Sequence, residues 1–521
     1  MVGFHGRSAG SSLSLRWLDS LVAVAVALCV LSRPDIFPGA ESSFTVELAP
    51  GISCRVREGE KPGVSVLVVA GSLGAGQDLG LVLKQVSSWP VSMGRLLLLS
   101  IDPGAELSFL PERVRASGSR EKAVWDFVSR NRPGWIVELD EAELYAGVKK
   151  DARGGSLFHD GSAEAARAAR LMASGLNAAV EVDDNHFHAR KAVGREGALG
   201  VLAARELEAK TLSVVGSRNQ KVRTKGATHR QLGEFFPVRL ATRIRQQRSL
   251  VYHLLRELEI IVSSVNVHRL LPEKLRGKAG EKAPLYLAVF DGYGTGTPRP
   301  FNELVKDYPF VEVHPVGSPE IQAGGLDDFH VVVFPGGEAM EQWPALGEGG
   351  RLAVRRFVRG GGGYIGICAG AYMTAQHPKY RWGLGLLDAD ILDHDHYARG
   401  VGFVKIELTD AGREALGDKR KGLLELHYGN GPLFLRAQKD RVPDYREFAF
   451  YRTGIARGGA RVETMVDTPA IIGGSYGKGR VVASSGHTGW SKGLEHFFSR
   501  YVLWASGRES QARPLANEKG R

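Results

Sequence analysis

The chain has 521 residues, of which 43% are hydrophobic and 24% charged, with a formal net charge of +11 and a pI near 9.4. This length allows two to three domains with sizeable cores, and the composition excludes a disordered or fibrous protein. The basic charge is not gathered into an aromatic-interleaved motif, so no nucleic-acid partner is predicted.

Residues 1–43 have the pattern of an export signal. Arg7 and Arg16 precede the apolar run 21–31, and small residues follow that run. The run is short for a membrane span. We therefore predict a signal peptide and an exported protein, periplasmic or extracellular, with an uncleaved membrane anchor or a buried helix as the alternatives. The cysteines left after cleavage, Cys54 and Cys368, fall in different predicted domains, so no disulfide framework is indicated.

Residues 44–262 alternate between strand-like and helix-like segments. Residues 64–70 are a buried apolar run, and residues 163–176 have the apolar spacing of an amphipathic helix. This alternation predicts an α/β domain with a mostly parallel sheet. The arginines within 239–256 share a predicted helix with leucines, and we interpret them as the solvated face of that helix.

Two stretches of this half resemble a known family. VLVVAGSLGAGQDLGLVLKQVSSWPVSMGRLLLL and IVELDEAELY are similar to the opening and the second motif of M14 zinc carboxypeptidases, in particular the succinylglutamate desuccinylase-like branch. The resemblance implies a carboxypeptidase-like mixed sheet. The positions of the family's zinc ligands hold Leu73, Gly76 and Asp140, and Gly216 stands where its general-base glutamate is expected. Because leucine and glycine cannot bind zinc, we predict a degenerate domain with no metal, no cofactor and no zinc carboxypeptidase activity.

Two histidine clusters, in 183–188 and 393–396, have the spacing with which alternate side chains of a strand can share a metal ion. A polar loop is the simpler interpretation of both, and we predict no replacement metal site. Residues 263–284 are polar and charged and are predicted to link the two domains. The polar tail 509–521 is predicted to be disordered.

The second predicted domain, 285–508, is organised around a cysteine. Residues 331–334 indicate a buried strand ending in Pro335-Gly336-Gly337, and residues 364–367 a second strand that leads into Cys368. A strand, a tight turn and a helix with a cysteine at the apex form the geometry called a nucleophile elbow.

Chemistry is expected at this turn because a helix begins there. The positive end of a helix should lower the thiol pKa of Cys368, and the amides of Gly336 and Gly337 are placed to hold an oxyanion. The alternative is a buried cysteine in an ordinary βα turn. The helix between the two strands is predicted to bury four residues: Leu352, Val354, Phe357 and Val358.

The motifs FPGGE, YIGICAGAY and a late SSGH resemble the class I glutamine amidotransferase superfamily. They are most similar to the amidotransferase-like domain at the amino end of some biotin-protein ligases. The resemblance implies a flavodoxin-like, mostly parallel sheet, a nucleophile at Cys368 and a histidine base at His487. It also implies an oxyanion site at Gly336 and Gly337, with Ala369 following the nucleophile.

The pattern departs from that superfamily in one place. Amidotransferases usually carry a glutamate two residues after the histidine, and here this position is Gly489. Three interpretations of the site stay open: a Cys–His dyad, a triad completed by Glu495 or Glu338, or loss of activity. The alternative base is His427, in a turn that is predicted to line the pocket; His487 is preferred because strand 480–484 delivers it beside the elbow.

The predicted fold class is therefore two α/β domains, and the predicted function is a cysteine-dependent amide or acyl hydrolase acting through Cys368 and His487. Its ligand would be a small molecule or a peptide amide. Strict glutamine amidotransfer is disfavoured because the other half resembles no synthetase. The alternative is a non-catalytic ligand-binding or envelope-associated protein built from two inactive hydrolase-derived domains.

Overall fold

The computed structural model describes residues 42–71, 78–102, 107–145, 152–180, 183–191, 196–221, 235–262, 265–271, 283–296, 301–375 and 383–513. The predicted signal segment up to residue 41, residues 72–77 with Leu73 and Gly76, and the last part of the tail lie outside the described residues.

The amino-terminal half forms a mixed sheet of eight described strands in the order β1-β2-β4-β3-β5-β8-β6-β7. The strands are β1 (Ser42–Ala49), β2 (Ile52–Glu58), β3 (Lys61–Ala70), β4 (Met93–Ile101), β5 (Trp135–Ala142), β6 (Ser156–His159), β7 (His188–Lys191) and β8 (Lys210–Ser217). The helices are α1 (Leu79–Val86), α2 (Pro111–Arg115), α3 (Arg120–Asn131), α4 (Ala163–Asn177), α5 (Leu199–Leu207) and α6 (Leu240–Glu257). A short ribbon adds β9 (Asn219–Lys221) and β10 (Phe235–Pro237).

Strand β3 shows why the apolar run folds this way. It pairs in parallel with both β4 and β5, so both of its faces need cover. Val66 and Val68 pack into the cluster that includes α1, α4 and α6, whereas Leu67 and Val69 pack into the cluster that includes α3 and α5. Because successive side chains of a strand point to opposite faces of the sheet, β3 contributes to two hydrophobic cores.

The carboxyl-terminal half forms a sheet of nine described strands in the order β12-β11-β13-β14-β21-β20-β19-β16-β17, beside a ribbon of β15 and β18. The strands are β11 (Leu285–Phe290), β12 (Val311–Val316), β13 (Val331–Phe334), β14 (Gly363–Ile367), β15 (Ala389–Leu392), β16 (Val401–Leu408), β17 (Leu423–Gly429), β18 (Leu433–Arg436), β19 (Tyr445–Tyr451), β20 (Pro469–Tyr476) and β21 (Gly479–Ser484). The helices are α7 (Phe301–Leu304), α8 (Ser318–Gln322), α9 (Ala339–Arg359), α10 (Ala369–Tyr372), α11 (Asp410–Leu416) and α12 (His496–Ser506).

The prediction of two α/β domains is confirmed by these two large sheets. In the second sheet, β12, β11, β13, β14 and β21 are parallel, and the four strands beyond β21 join by antiparallel pairing. Phe334 pairs with Gly366, and Ile367 pairs with Ser484. The residues that follow β13, β14 and β21 therefore emerge together at one edge of the sheet, where open α/β sheets bind ligands.

Helix α6 corrects one interpretation made from the sequence. Its arginine face is only partly solvated: Arg256 is exposed, whereas Arg248 has a side chain only 1% exposed and donates to Gln85 and to Glu320 of the other half. Arg245 lies 3.5 Å from the same Glu320 carboxylate. The arginines were misread because helical periodicity shows that a face is charged without showing that a second domain covers it.

Three smaller expectations also differ from the structure. Leu352 is 54% exposed, because it stands two residues before the buried Val354 and so lies about 200° around the helix from it. Within the predicted linker, Leu270 and Leu271 are buried in the core of the second domain. The described start of the tail forms a 3₁₀ turn at Glu509–Gln511, where Glu509 pairs with Arg480.

None of the helices in the described part of the chain combines the length and apolarity that crossing a bilayer requires.

The buried pair between the domains gives a test of stability. Arg248→Leu should lower the free energy of unfolding by about 3–5 kcal/mol, because it removes the principal partner of a carboxylate that is 3% exposed. Arg256→Ala, at an exposed site on the same helix, should change it by less than about 0.5 kcal/mol. Urea unfolding measures both, and equal effects of the two changes would contradict the assignment.

Candidate active site

Cys368 occupies a strained position between β14 and α10. Its backbone angles are φ 52° and ψ −102°, which a residue other than glycine rarely adopts. Such a conformation costs about 1–3 kcal/mol and persists only where the surroundings enforce it. Here the Cys368 N–H donates to the Ser484 carbonyl at 2.9 Å, and the Cys368 carbonyl accepts from the amide of Tyr372 at 3.0 Å. The turn is thus held both by the neighbouring strand and by its own helix.

The two flanking glycines allow the backbones to approach closely. A Cβ on Gly366 would lie 2.4 Å from the carbonyl oxygen of Gly370. A Cβ on Gly370 would lie 1.9 Å from the carbonyl oxygen of Phe334 on β13. Neither glycine has a positive φ, so the requirement is for space rather than for an unusual backbone angle.

The thiol of Cys368 is buried and neutral. Cys368 is 6% exposed, and its Sγ donates to the carbonyl of Gly429 at 3.3 Å. Burial raises the thiol pKa to about 12, the amides of Ala369 and Gly337 lower it, and the charge of Glu338 raises it. The prediction of a lowered thiol pKa is therefore wrong, because α10 is only four residues long and desolvation outweighs the two amides.

His487 follows β21 and begins the 3₁₀ turn Thr488–Trp490. A Cβ on Gly336 would lie 2.9 Å from Cε1 of His487 and 3.6 Å from Cβ of Cys368, so the ring and the cysteine border the same point of the loop. Burial lowers the pKa of His487 to about 4, helped by the neighbouring His427. The imidazole is therefore neutral at physiological pH and able to accept a proton.

Among the residues that the structure describes, the ring of His487 is oriented by stacking and not by a carboxylate. The indole of Trp490 lies parallel to it, with centroids 4.6 Å apart and planes at 12°. The hydroxyl of Ser491 donates to the His487 carbonyl and accepts from the His427 amide, both at 2.8 Å. Trp490 and Ser491 were not predicted from the sequence, although an aromatic residue three positions after the histidine was a signal that could have been used.

His427, the alternative base, lies against the rings of His487 and Trp490. Its ring contacts those of His487 and Trp490 at centroid distances of 5.8 and 5.4 Å. Burial lowers the pKa of His427 as well. The structure thus brings both candidate histidines to the cavity, with His487 beside Gly336.

The place of the missing glutamate is filled. A Cβ on Gly489 would lie 2.9 Å from Cδ1 and 3.2 Å from Cδ2 of Leu304. Glu495 accepts from the amide of Gly493 at 2.8 Å and so binds its own loop. Glu338 lines the cavity, and its charge acts on the thiol; burial and His427 are the causes that set the pKa of His487. These contacts disfavour a triad, and the Cys–His dyad and the loss of activity both stay open.

The predicted oxyanion residues lie around the sulfur. The amides of Gly337 and Ala369 are the two that bond to it, whereas Gly336 provides room for the histidine ring. Gly337 has φ 135°, and a Cβ there would lie 2.1 Å from the carbonyl oxygen of Gly294. Only glycine fits this position.

A cavity of about 420 Å³ opens onto Cys368 and His487. Its wall is largely apolar, with Leu304, Val401 and Trp490 among the lining residues. A volume of this size accommodates a small-molecule ligand.

The two histidine clusters form ordinary loop contacts. His186 donates through Nε2 to the carbonyl of Val180 at 3.0 Å, and Nδ1 of His396 lies 2.6 Å from Asp393. In the described part of the chain, no three side chains among His, Cys, Asp and Glu converge as a metal site would require.

Comparison with protein families assigns the region around this site. Residues 326–390 match the family described as biotin-protein ligase, N terminal. The amidotransferase-like resemblance of the carboxyl-terminal half is therefore confirmed for this segment. The comparison with curated proteins gives no match.

Several solved structures share limited similarity with the chain. The mDAP-bound form of Csd4 from Helicobacter pylori, a D,L-carboxypeptidase, is 14% identical with a TM-score of 0.30, and the match covers 46% of this chain and 64% of that one. A putative ThuA-like protein from Parabacteroides merdae is 14% identical with a TM-score of 0.31, over 44% of this chain and 93% of that one. A cytoplasmic protein from Salmonella typhimurium is 13% identical with a TM-score of 0.28, over 44% of this chain and 100% of that one. Scores this low carry no argument about function.

The buried thiol predicts a steep pH dependence of alkylation. Because the thiolate is the reactive form and burial raises the pKa to about 12, the rate of Cys368 labelling by iodoacetamide should rise about tenfold per pH unit from pH 7 to 10. Peptide mass spectrometry resolves Cys368 from the other cysteines, and Cys368→Ser supplies the blank. A plateau below pH 8 would show a low-pKa thiolate instead.

The filled position at Gly489 predicts a cost for restoring the glutamate. Gly489→Glu should destabilise the protein by about 1–3 kcal/mol, because the new Cβ overlaps Leu304. Combining it with Leu304→Ala should cost less than the sum of the two single changes, as a double-mutant cycle measures. Additive effects would mean that the two positions do not compete for space.

Proposed function

We propose that the carboxyl-terminal domain is a cysteine-dependent hydrolase of an amide or acyl bond, with Cys368 as nucleophile and His487 as base. The observation that carries this proposal is the strained elbow, at which the amides of Gly337 and Ala369 bond to the sulfur beside a neutral imidazole. Strain of this kind is concentrated at functional sites. The cavity supports a small-molecule or peptide amide as ligand.

The proposed reaction begins from the neutral pair. His487 takes the thiol proton as Sγ attacks the substrate carbonyl, and the carbonyl π electrons move to an oxyanion held by the amides of Gly337 and Ala369. When the tetrahedral intermediate collapses, the bond to the leaving amine or alcohol breaks, and that group takes the proton from His487. A water molecule, deprotonated by His487, then attacks the thioester; the carboxylic acid leaves and the thiol is restored.

The two pKa values determine when charge appears in this scheme. With the thiol near 12 and the imidazole near 4, a thiolate–imidazolium pair is unfavourable in the resting site. Proton transfer becomes favourable only as the negative charge passes to the oxyanion, where the amides receive it. The site would therefore operate by general-base catalysis rather than with a preformed thiolate.

We also propose that the amino-terminal domain is a non-catalytic, M14-like module. A Cβ on Gly216 would lie 2.8 Å from Nε2 of Gln247, so the place expected for a general-base glutamate is filled from α6. Arg243 of the same helix pairs with Glu141 and Asp78. Export and association with the cell envelope remain part of the proposal and rest on the sequence of residues 1–43.

A ligand-binding protein without turnover is the second candidate. It is supported by the thiol donating to Gly429 instead of to His487, and by Leu304 occupying the space beside Gly489. In that case the cavity would bind its ligand with Cys368 as part of the wall.

Turnover of activated acyl esters and acyl anilides tests the proposal. Cys368→Ser and His487→Ala should each lower kcat/KM by about 10²-fold or more, whereas His188→Ala, an exposed histidine of the other domain, should leave it unchanged. Because His487 stays neutral down to about pH 4, activity should persist to about pH 5 and fall below that. Activity that survives Cys368→Ser would overturn Cys368 as the nucleophile, whereas binding of these compounds without turnover would favour the second candidate.

A further inference from the structure

The beginning of helix α6, in the amino-terminal domain, contacts the loop that supports the oxyanion site of the other domain. Arg239 immediately precedes α6, and its guanidinium donates through Nη2 to the carbonyl of Thr295 and through Nη1 to that of Gly296, the second at 3.5 Å. Thr295 is 4% exposed, so this contact reaches a buried part of the loop. A guanidinium suits the task because its planar fork can bind two acceptors at once.

The contact is reciprocal. Asp291, just after β11, accepts from the amide of Ala241 at 3.0 Å and also from that of Leu240. The carboxylate of one domain therefore caps the first turn of a helix of the other, where the free amides and the helix dipole favour negative charge. Nη1 of Arg239 lies 3.9 Å from the same carboxylate. Helix and loop thus fix each other's position.

The clamped loop is paired directly with the oxyanion loop. Thr295 forms an antiparallel bridge with Gly337. On either side of it, the Gly296 amide donates to the Gly336 carbonyl at 2.9 Å, and the Glu338 amide donates to the Gly294 carbonyl at 2.8 Å. The amide of Gly337 bonds to the sulfur of Cys368, so one short loop separates Arg239 from the reacting atoms.

We propose that Arg239 is a positioning residue, through which the amino-terminal domain holds residues 294–296 and thereby aims the Gly337 amide at the reacting carbonyl. Its catalytic consequence rests on the proposed hydrolase function; the clamp itself does not. Amide placement matters because an oxyanion donor acts only when it is aligned in advance, so that no reorganisation is needed during the reaction. The amino-terminal domain then contributes to the site through Arg239, which lies outside the described lining of the cavity.

Hydrogen exchange of the full-length protein tests the clamp without a substrate. Arg239→Ala should speed the exchange of peptides covering 292–296 and 336–340 by at least about tenfold, and Arg239→Lys, which keeps the charge but not the planar fork, should give an intermediate value. Arg245→Ala is the matched control, since it weakens the same domain interface at Glu320 but does not touch the loop. We expect it to change exchange in these peptides by less than about twofold.

Kinetics supply the second readout. Against an activated acyl ester, Arg239→Ala should lower kcat by about tenfold with KM within twofold, because it disturbs the oxyanion donor and not the cavity wall. Equal exchange of these peptides in Arg239→Ala and Arg245→Ala, or an exchange rate in Arg239→Ala equal to that of the unmodified protein, would overturn the clamp. If the unmodified protein hydrolyses nothing, the hydrolase proposal fails, and the exchange data still decide whether Arg239 holds the loop.

Discussion

The backbone conformation of Cys368 is the constraint on which the site depends. At φ 52° and ψ −102°, the cysteine can point into the cavity only because β21 and α10 hold its amide and carbonyl. Relaxing that turn would move the sulfur away from both amides and from the imidazole. The close backbone contacts at Gly366 and Gly370 are consequences of the same bend. The parallel strands of the second domain thus hold the backbone of Cys368 in this conformation.

Burial then determines the chemistry available to that residue. The desolvation that raises the thiol pKa of Cys368 also lowers the pKa of His487, so both side chains rest uncharged. Because the imidazole carries no charge at rest, it does not need a carboxylate to stabilise one. It needs orientation, and the stacked indole of Trp490 supplies it. The contact at Gly489 is consistent with this arrangement, since the side chain of Leu304 would have to move to admit a glutamate.

Local patterns in the sequence predicted the features that depend on local backbone geometry. Apolar runs and glycine spacing were enough to place a strand, a turn and a helix around Cys368 and to indicate two α/β domains, since these follow from side-chain periodicity and steric limits. The thiol pKa was predicted in the wrong direction because the sequence shows that a helix begins there but not how deeply the sulfur is buried. The roles of Arg239 and Arg248 could not be predicted, because the sequence pattern of a charged helical face is the same whether water or another domain covers that face.

The central claim is that this buried, uncharged cysteine becomes acylated with the help of the adjacent imidazole. Rapid mixing with an activated acyl ester, followed by acid quenching and peptide mass spectrometry, measures that step directly. The account predicts an acyl group on Cys368 that accumulates within the first turnover and forms at least about a hundredfold more slowly in His487→Ala. An unmodified Cys368, or an adduct that forms equally fast without the imidazole, would contradict it.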